Sequence, residues 1–129
     1  MHPLKKIMVV DDEDDIRDVV GMALEMASGL AVEGCGSGRE AVARARAVRP
    51  DMILLDVMMP GMDGPTTLAA LRQDPELVGI PVVFLTAKAQ AGELDRFLEL
   101  GAADVIAKPF DPMTLGEKLQ SIWKALHER

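Results

Sequence analysis

The stretch 52–56 constrains the fold of this chain more than any other, because four consecutive apolar residues lead directly into a carboxylate, Asp56. Pro60 and Gly61 follow soon after and mark a turn. A short apolar run bounded by such residues is typical of a strand buried on both faces of a sheet. An acid at the end of that strand lies at the carboxyl edge, where open α/β sheets bind their ligands. Asp56 is therefore the first candidate functional residue.

The rest of the chain alternates between short apolar runs and segments with apolar residues at helical spacing. The predicted strands are 7–10, a weak one at 30–33 that glycines 34, 36 and 38 break, 52–56, 80–85 and 104–107. In the fourth helix, Leu94, Phe97 and Leu98 are predicted to form the inner stripe. Five strand–helix units of this kind predict an α/β fold, a mostly parallel sheet with helices on both faces.

Composition limits the partners of this chain, which we interpret as one domain over residues 1–129. The net charge of -7 disfavours nucleic acid and anionic membranes, and favours cations and basic protein surfaces. A single cysteine, Cys35, excludes an intrachain disulfide. The first residues resemble neither a signal peptide nor a membrane span. We therefore expect a cytoplasmic protein.

Five polar residues are predicted to meet at the carboxyl edge of the sheet: Asp11, Asp12, Asp56, Thr86 and Lys108. Three acids at one place are costly without a counter-ion, because like charges a few Å apart cannot all stay ionised. Magnesium resolves this, since it takes oxygen ligands and is held by a few carboxylates together with a phosphate. A metal and a lysine beside one carboxylate suit phosphoryl transfer onto Asp56.

Four stretches carry a resemblance to a known family: VVDD at 9–12, LLDVMMPGMDG at 54–64, VFLTA at 83–87 and KPF at 108–110. With these stretches in order and at fitting spacing, the chain resembles the receiver domain of two-component response regulators. The resemblance implies a flavodoxin-like doubly wound parallel sheet of five βα units with strand order 2-1-3-4-5. It also implies a domain that catalyses only its own phosphorylation and dephosphorylation.

The resemblance implies a role for each residue of the site. Asp56 would accept a phosphoryl group from the phosphohistidine of a histidine kinase or a histidine phosphotransfer protein. Thr86 would donate its hydroxyl to a phosphoryl oxygen, and Lys108 would pair with the phosphoryl charge. The peptide bond between Lys108 and Pro109 would be cis.

The metal site implied by the resemblance consists of Asp11, Asp12 and Asp56, joined by the main-chain carbonyl of Met58. Magnesium would be the cofactor. We also expect the side chains of Met58 and Lys88 to overhang the site, and so to tune water access and the lifetime of the phosphorylated state.

One position departs from the family pattern. Many receivers carry a tyrosine or phenylalanine three residues before the lysine, and its ring turns inward when the threonine moves. Val105 stands there in this chain, which has no tyrosine. We expect the fourth helix, the fifth strand and the last helix still to form the output face for a target protein, as a monomer or a phosphorylation-linked dimer, but without an aromatic rotamer.

For several other residues, a structural role competes with a functional one. Residues 13–15 are predicted to be a solvated acidic helix start, and Met59 to fill the core. Trp123 suits the edge of the core and a partner contact equally well. Cys35, His2 and His127 belong to no ligand or nucleophile constellation, so we expect them to be structural or exposed.

Two other functions are alternatives to a phosphoacceptor receiver. A magnesium-dependent phosphohydrolase with an aspartate nucleophile would need a second acid two residues after Asp56, where Met58 stands. Flavin mononucleotide binding would need hydroxyl-rich loops after the first strand, where Asp11 and Asp12 would repel the phosphate. We favour a stand-alone receiver, with a receiver from a longer hybrid protein as the alternative.

Overall fold

A computed structural model describes residues 2–87 and 91–128, and within these ranges five strands alternate with five helices. The strands are β1 (Lys6–Val10), β2 (Ala31–Cys35), β3 (Met52–Asp56), β4 (Val82–Thr86) and β5 (Asp104–Ala107). The helices are α1 (Asp14–Ser28), α2 (Gly38–Val48), α3 (Gly64–Arg72), α4 (Ala91–Glu99) and α5 (Pro112–His127). Of the helices in this described part, none combines the length and apolarity needed to cross a bilayer.

All five strands are parallel and form one sheet in the order β2-β1-β3-β4-β5. The pairing places Val10 beside Leu55 and Asp56 beside Leu85. The ends of neighbouring strands therefore stay level across the sheet. This confirms the predicted flavodoxin-like fold and strand order.

Two apolar clusters cover the two faces of the sheet. Side chains of a strand alternate between faces, so Met8 and Ile53 pack on one side while Ile7 and Met52 pack on the other. Helices α2, α3 and α4 contribute to the first cluster, and α1 and α5 to the second. β3 and β4 are buried along their whole length, which explains their continuous apolar runs.

Local signals in the sequence set several helix ends. The Ser37 hydroxyl accepts the main-chain N–H of Glu40 at 3.1 Å and caps α2. Gly29 ends α1 with a φ of 66°, a left-handed conformation that favours glycine. Pro65 lies in the first turn of α3, where its missing N–H costs no helical hydrogen bond.

Predictions are wrong in three places: at the ends of β2, at the start of β4 and on the inner stripe of α4. Leu30 precedes β2, since its N–H donates to the carbonyl of Leu24 at the end of α1, and Gly34 lies inside the strand rather than breaking it. Ile80 precedes β4, since its carbonyl accepts Arg72 at 2.9 Å. Leu98 is 42% exposed rather than inward-facing, because it lies one helical step past the buried Phe97.

Trp123 is 5% exposed and belongs to the core on the α1 and α5 side of the sheet. Its indole Nε1–H donates to the main-chain carbonyl of His2 at 3.1 Å. The structure therefore supports the core-edge interpretation of this residue, and the indole attaches the N-terminal segment to α5.

We expect Gly64→Ala to lower the free energy of unfolding by about 1–3 kcal/mol, the usual cost of overpacking. A Cβ there would lie 2.7 Å from the main-chain oxygen of Asp56 and 2.8 Å from the Cα of Val57. Both are backbone atoms of the central strand and its loop, and they have little room to move. Urea denaturation of the purified variant would measure the change.

Gly92→Ala is the matched control, because a Cβ at Gly92 meets no atom within 4 Å and the residue lies in α4. Alanine is the better helix former, so this variant should be as stable as the parent or slightly more stable. Equal stability of the two variants would contradict the packing argument at Gly64.

Candidate functional site

The five predicted residues come together at the carboxyl edge of the sheet. Asp11 and Asp12 follow β1, Asp56 is the last residue of β3, Thr86 is the last residue of β4, and Lys108 follows β5. Because the strands are parallel and in register, their ends meet at one edge. The sequence pattern therefore located the whole constellation.

Carboxylate oxygens of Asp11, Asp12 and Asp56 all lie within 4.8 Å of one another. The Nζ of Lys108 lies 3.2 Å from Oδ2 of Asp11 and 3.4 Å from Oδ1 of Asp56. One ammonium group thus contacts two of the three acids. With three negative groups and one positive group, the formal charge of the cluster is -2.

The site is buried on one side and open on the other. Asp11 is 0% exposed, Asp56 4% and Thr86 2%, whereas Asp12 is exposed. Burying carboxylates is costly unless they are paired or hydrogen-bonded. The open side at Asp12 gives solvent and ligands access to the two buried acids.

Burial raises the pKa of Asp56, and the negative charge of Asp11 raises it further. Lys108 and the main-chain N–H of Met58, which donates to the Asp56 carboxylate, offset part of this. Burial alone would lower the pKa of Lys108, but the charges of Asp56 and Asp11 outweigh it and the pKa is raised. The lysine therefore stays cationic while Asp56 binds a proton more readily than usual.

The donor set of this cluster fits a hard divalent cation. Asp11, Asp12 and Asp56 form the one group of three or more acidic, histidine or cysteine side chains within the described residues that could hold a metal ion. All of these donors are oxygens, which magnesium prefers, and the exposed side leaves room for the waters that it keeps. The main-chain carbonyl of Met58, expected as a fourth ligand, stays a prediction.

Asp11 is oriented by contacts that the sequence did not reveal. Its Oδ1 accepts the N–H of Glu13 at 2.9 Å, and its own N–H donates to the carbonyl of Cys35 at 3.1 Å. The guanidinium of Arg17 donates to the Asp11 carbonyl at 2.6 Å and pairs with Asp14. Arg17 therefore fixes the loop after β1, and no spacing rule in the sequence points to it.

Thr86 and Val105 occupy the predicted switch region. The Thr86 carbonyl accepts the N–H of Lys108 at 2.8 Å. Val105 pairs with Phe84 across β4 and β5 and is half-buried. Phe97 of α4 packs edge-on against Phe84 with ring centroids 5.1 Å apart. Phe97 also lines a cavity together with Thr86, so α4 brings an aromatic ring near the threonine.

A cavity of about 200 Å³ separates this part of α4 from the loop after β3. Thr86, Phe97 and Met58 are among the residues that line it. Met58 is 67% exposed, so its side chain lies at the surface beside the site. Lys88, the other predicted tuning residue, falls outside the described residues.

Several further interpretations are confirmed. The peptide bond between Lys108 and Pro109 is cis. Met59 is 8% exposed and belongs to the core. Cys35 is a buried free thiol whose pKa is raised by burial. The stretch 13–15 is exposed, as expected for a solvated helix start.

Comparison with known proteins agrees with this geometry. The sequence model of the response regulator receiver domain matches residues 7–120. The phosphate regulon transcriptional regulatory protein PhoB of Pseudomonas aeruginosa is 40% identical over 122 residues, covering 92% of this chain and 51% of PhoB. The DNA-binding response regulator MtrA of Mycobacterium tuberculosis is 37% identical over 117 residues, covering 91% of this chain and 50% of MtrA.

Among solved structures, the chemotaxis protein CheY4 of Vibrio cholerae is similar with a TM-score of 0.85 and 35% sequence identity. The match covers 92% of this chain and 98% of CheY4. By contrast, this chain spans about half the length of the curated relatives named above. The family match over most of the chain, together with the shared fold, shows that this protein belongs to the response regulator receiver domains of two-component signalling.

Proposed function

We propose that this receiver accepts a phosphoryl group on Asp56 from the phosphohistidine of a histidine kinase or a histidine phosphotransfer protein. The observation that carries the proposal is the Asp56 carboxylate, which is 4% exposed, lies 3.4 Å from the Lys108 ammonium and lies within 4.8 Å of two further acids. A carboxylate so placed is next to both a cation and a metal-binding donor set.

In the proposed step, a carboxylate oxygen of Asp56 bonds to phosphorus while the bond from phosphorus to the donor's imidazole nitrogen breaks. The released imidazole keeps the electron pair of the broken bond. Bound magnesium would neutralise charge on the phosphoryl oxygens during this transfer. Lys108 remains beside Asp56 and pairs with the added charge, and Thr86 donates its hydroxyl to a phosphoryl oxygen. The chain thus positions and neutralises the reactants rather than changing their chemistry.

The proposed output is a change in affinity for a target protein. A newly added dianion at Asp56 would bias two packings of the neighbouring surface. We assign that surface to α4, β5 and α5, where Leu98 of α4 is 42% exposed and Leu100, just after α4, is 46% exposed. The exposed apolar side chains support a protein partner, with the phosphorylated chain acting as a monomer or a dimer.

Asp56→Asn should abolish phosphoryl transfer from a panel of radiolabelled histidine kinases, because an amide cannot form the acyl phosphate. Asp18→Asn, at an exposed position of α1, should be labelled like the parent. Equal labelling of the Asp56 variant and the parent would refute Asp56 as the acceptor.

We expect metal-free Asp56→Asn to be more stable than the parent at pH 7, with an advantage that shrinks as the pH falls. The folded pKa of Asp56 is raised, so its contribution to stability is full below the unfolded pKa and is lost as the pH rises through the folded pKa. Asparagine never acquires that charge. Urea denaturation across the range from pH 3 to pH 8 would measure the difference.

Magnesium should narrow the difference in free energy of unfolding between Asp56→Asn and the parent at pH 7. In the proposed site it binds the folded parent through three carboxylates and the variant through two. Asp18→Asn, with its exposed side chain, should show neither effect. A stability advantage of Asp56→Asn that is constant with pH and unaffected by magnesium would contradict the electrostatic account of the site.

Met58→Asn should shorten the lifetime of the phosphorylated state several-fold. Met58 is exposed beside Asp56, and a polar side chain there would replace an apolar cover with a group that hydrogen-bonds water. The decay of label from phosphorylated protein measures the lifetime. Met113→Asn, equally exposed at the start of α5, is the control and should leave it unchanged. An unchanged lifetime in the Met58 variant would rule out this role.

A further inference from the structure

Helix α4 is attached to the sheet by one buried side chain. Among the described side chains of α4, those of residues 92–99, only Phe97 is buried, with 2% of it exposed. By comparison, α3 contains four buried residues and α5 contains five. A helix with few buried apolar contacts shifts at a low cost in free energy. A displacement of Phe97 would therefore be accompanied by a displacement of α4.

Phe97 lies on the same face of the sheet as Thr86. Side chains two residues apart on a strand share a face, so Thr86 points to the same side as Phe84, the side that α4 covers. The Phe97 ring packs edge-on against Phe84, with ring centroids 5.1 Å apart. Val105, which pairs with Phe84 across β4 and β5, packs against the same apolar cluster. α4 therefore places its ring against the strand that ends in Thr86.

Two contacts hold the Phe97 ring in position. One is the edge-on contact with Phe84 of β4. The other is with the Arg96 guanidinium, whose carbon lies 5.6 Å from the centroid of the Phe97 ring, a distance typical of a cation–π contact. Arg96 also pairs with Glu93, one turn earlier in α4, at 3.5 Å. Because the ring is held by a cation of its own helix, it moves together with α4 rather than alone.

The cavity of about 200 Å³ next to Phe97 leaves room for such a movement. Thr86 and Phe97 both line this cavity, with Val57 from the loop after β3 and Pro65 from α3. A cavity of about 150 Å³ can hold a benzene molecule. The space beside Phe97 can therefore accept a shift of the phenyl ring.

Phe97 is also connected to the proposed output surface. The next residue, Leu98, is 42% exposed on α4. The Phe97 carbonyl accepts the N–H of Ala102 at 3.2 Å, and the N–H of Ala103 donates to the carbonyl of Val82 at 2.8 Å. A shift of Phe97 thus reaches both the exposed side of α4 and the segment that leads into β5.

We propose that Phe97 is a positioning residue that couples Thr86 to the output surface. Its role rests on the proposed phosphoacceptor function, in which the Thr86 hydroxyl turns toward the phosphoryl group on Asp56. That rotation changes the wall of the cavity that Thr86 and Phe97 share. The Phe97 ring moves into the altered space, and α4 moves with it.

Beryllium fluoride with magnesium is the probe, because a beryllium fluoride group on a carboxylate is tetrahedral like a phosphoryl group. Amide hydrogen exchange of the full chain, followed by mass spectrometry of its peptides, measures the response of each segment. In the parent, the probe should slow exchange in the loop 57–63, which follows Asp56. It should also change exchange in α4 several-fold.

Phe97→Leu should keep the slowed exchange at 57–63 and lose the probe-dependent change in α4, because leucine stays apolar but lacks the ring. Leu71→Val is the matched control. Leu71 is 0% exposed in the same apolar cluster but belongs to α3, so this variant loses some stability and should keep the α4 response. A merely structural role of Phe97 would speed exchange in α4 with and without the probe and preserve the change between the two states.

The outcomes separate the role of Phe97 from the function on which it rests. If the probe does not slow exchange at 57–63 in the parent, the phosphoacceptor function is wrong and the role of Phe97 falls with it. If exchange slows at 57–63 but α4 does not respond in the parent, only the role of Phe97 is overturned. The same holds if the α4 response survives in Phe97→Leu as it does in Leu71→Val.

Discussion

The contact of the Lys108 ammonium with two buried carboxylates is the interaction on which this structure depends. Asp11 and Lys108 are 97 residues apart in the chain, yet their side chains lie 3.2 Å apart. Without that cation, Asp11 and Asp56 would face each other in a poorly solvated site, where both could not remain ionised. The same contact joins the ends of β1, β3 and β5. The charge balance of the site therefore rests on one group that links the ends of three strands.

The Lys108 ammonium only partly balances the negative charge of the site. The remaining negative charge suits the binding of a metal ion and, with it, the proposed phosphorylation. One ammonium faces three carboxylates, so a divalent cation is favoured. In the proposed phosphorylation, the dianionic phosphoryl group on Asp56 would replace the single negative charge of the carboxylate beside Lys108. The N–H of Lys108 donates to the Thr86 carbonyl at 2.8 Å, so in the proposed switch a shift of either residue would reach β4 and β5. The proposed output surface lies next to these strands.

The sequence predicted the site better than the boundaries of the strands, for a physical reason. A parallel α/β fold brings the ends of its strands to one edge, so acids after apolar runs could be located without knowing any side-chain contact. Leu30 and Ile80 were assigned to strands because they are apolar, but the backbone of each is engaged by a helix end or an arginine. Both contacts are local in the chain, but they engage main-chain groups, which a pattern of apolar side chains does not show.

The same limit applies to the polar groups that orient the two edges of the sheet. Arg17 donates to the Asp11 carbonyl and so holds the loop after β1. The Asp51 carboxylate accepts the N–H groups of Lys5 and Lys6, some 45 positions earlier in the chain. Neither shows a periodicity or a motif. Phe97 is another case, since its apolar spacing predicted burial but not its place beside Thr86. The apolar pattern predicted the burial of Phe97 but also that of the exposed Leu98, and only the folded chain shows which residues meet.

The two edges of the sheet differ in a way that explains why the acids are tolerated at one of them. Each helix that follows a strand begins at the carboxyl edge, so the positive ends of the helix dipoles are directed toward it. That field favours the carboxylates after β1 and β3, and it would equally favour an added phosphoryl group. At the amino edge the helices end, and their dipoles disfavour an acid. Asp51 is accordingly held there by three donors of its own, whereas Asp56 relies on one lysine and one main-chain N–H and stays open to a further cation.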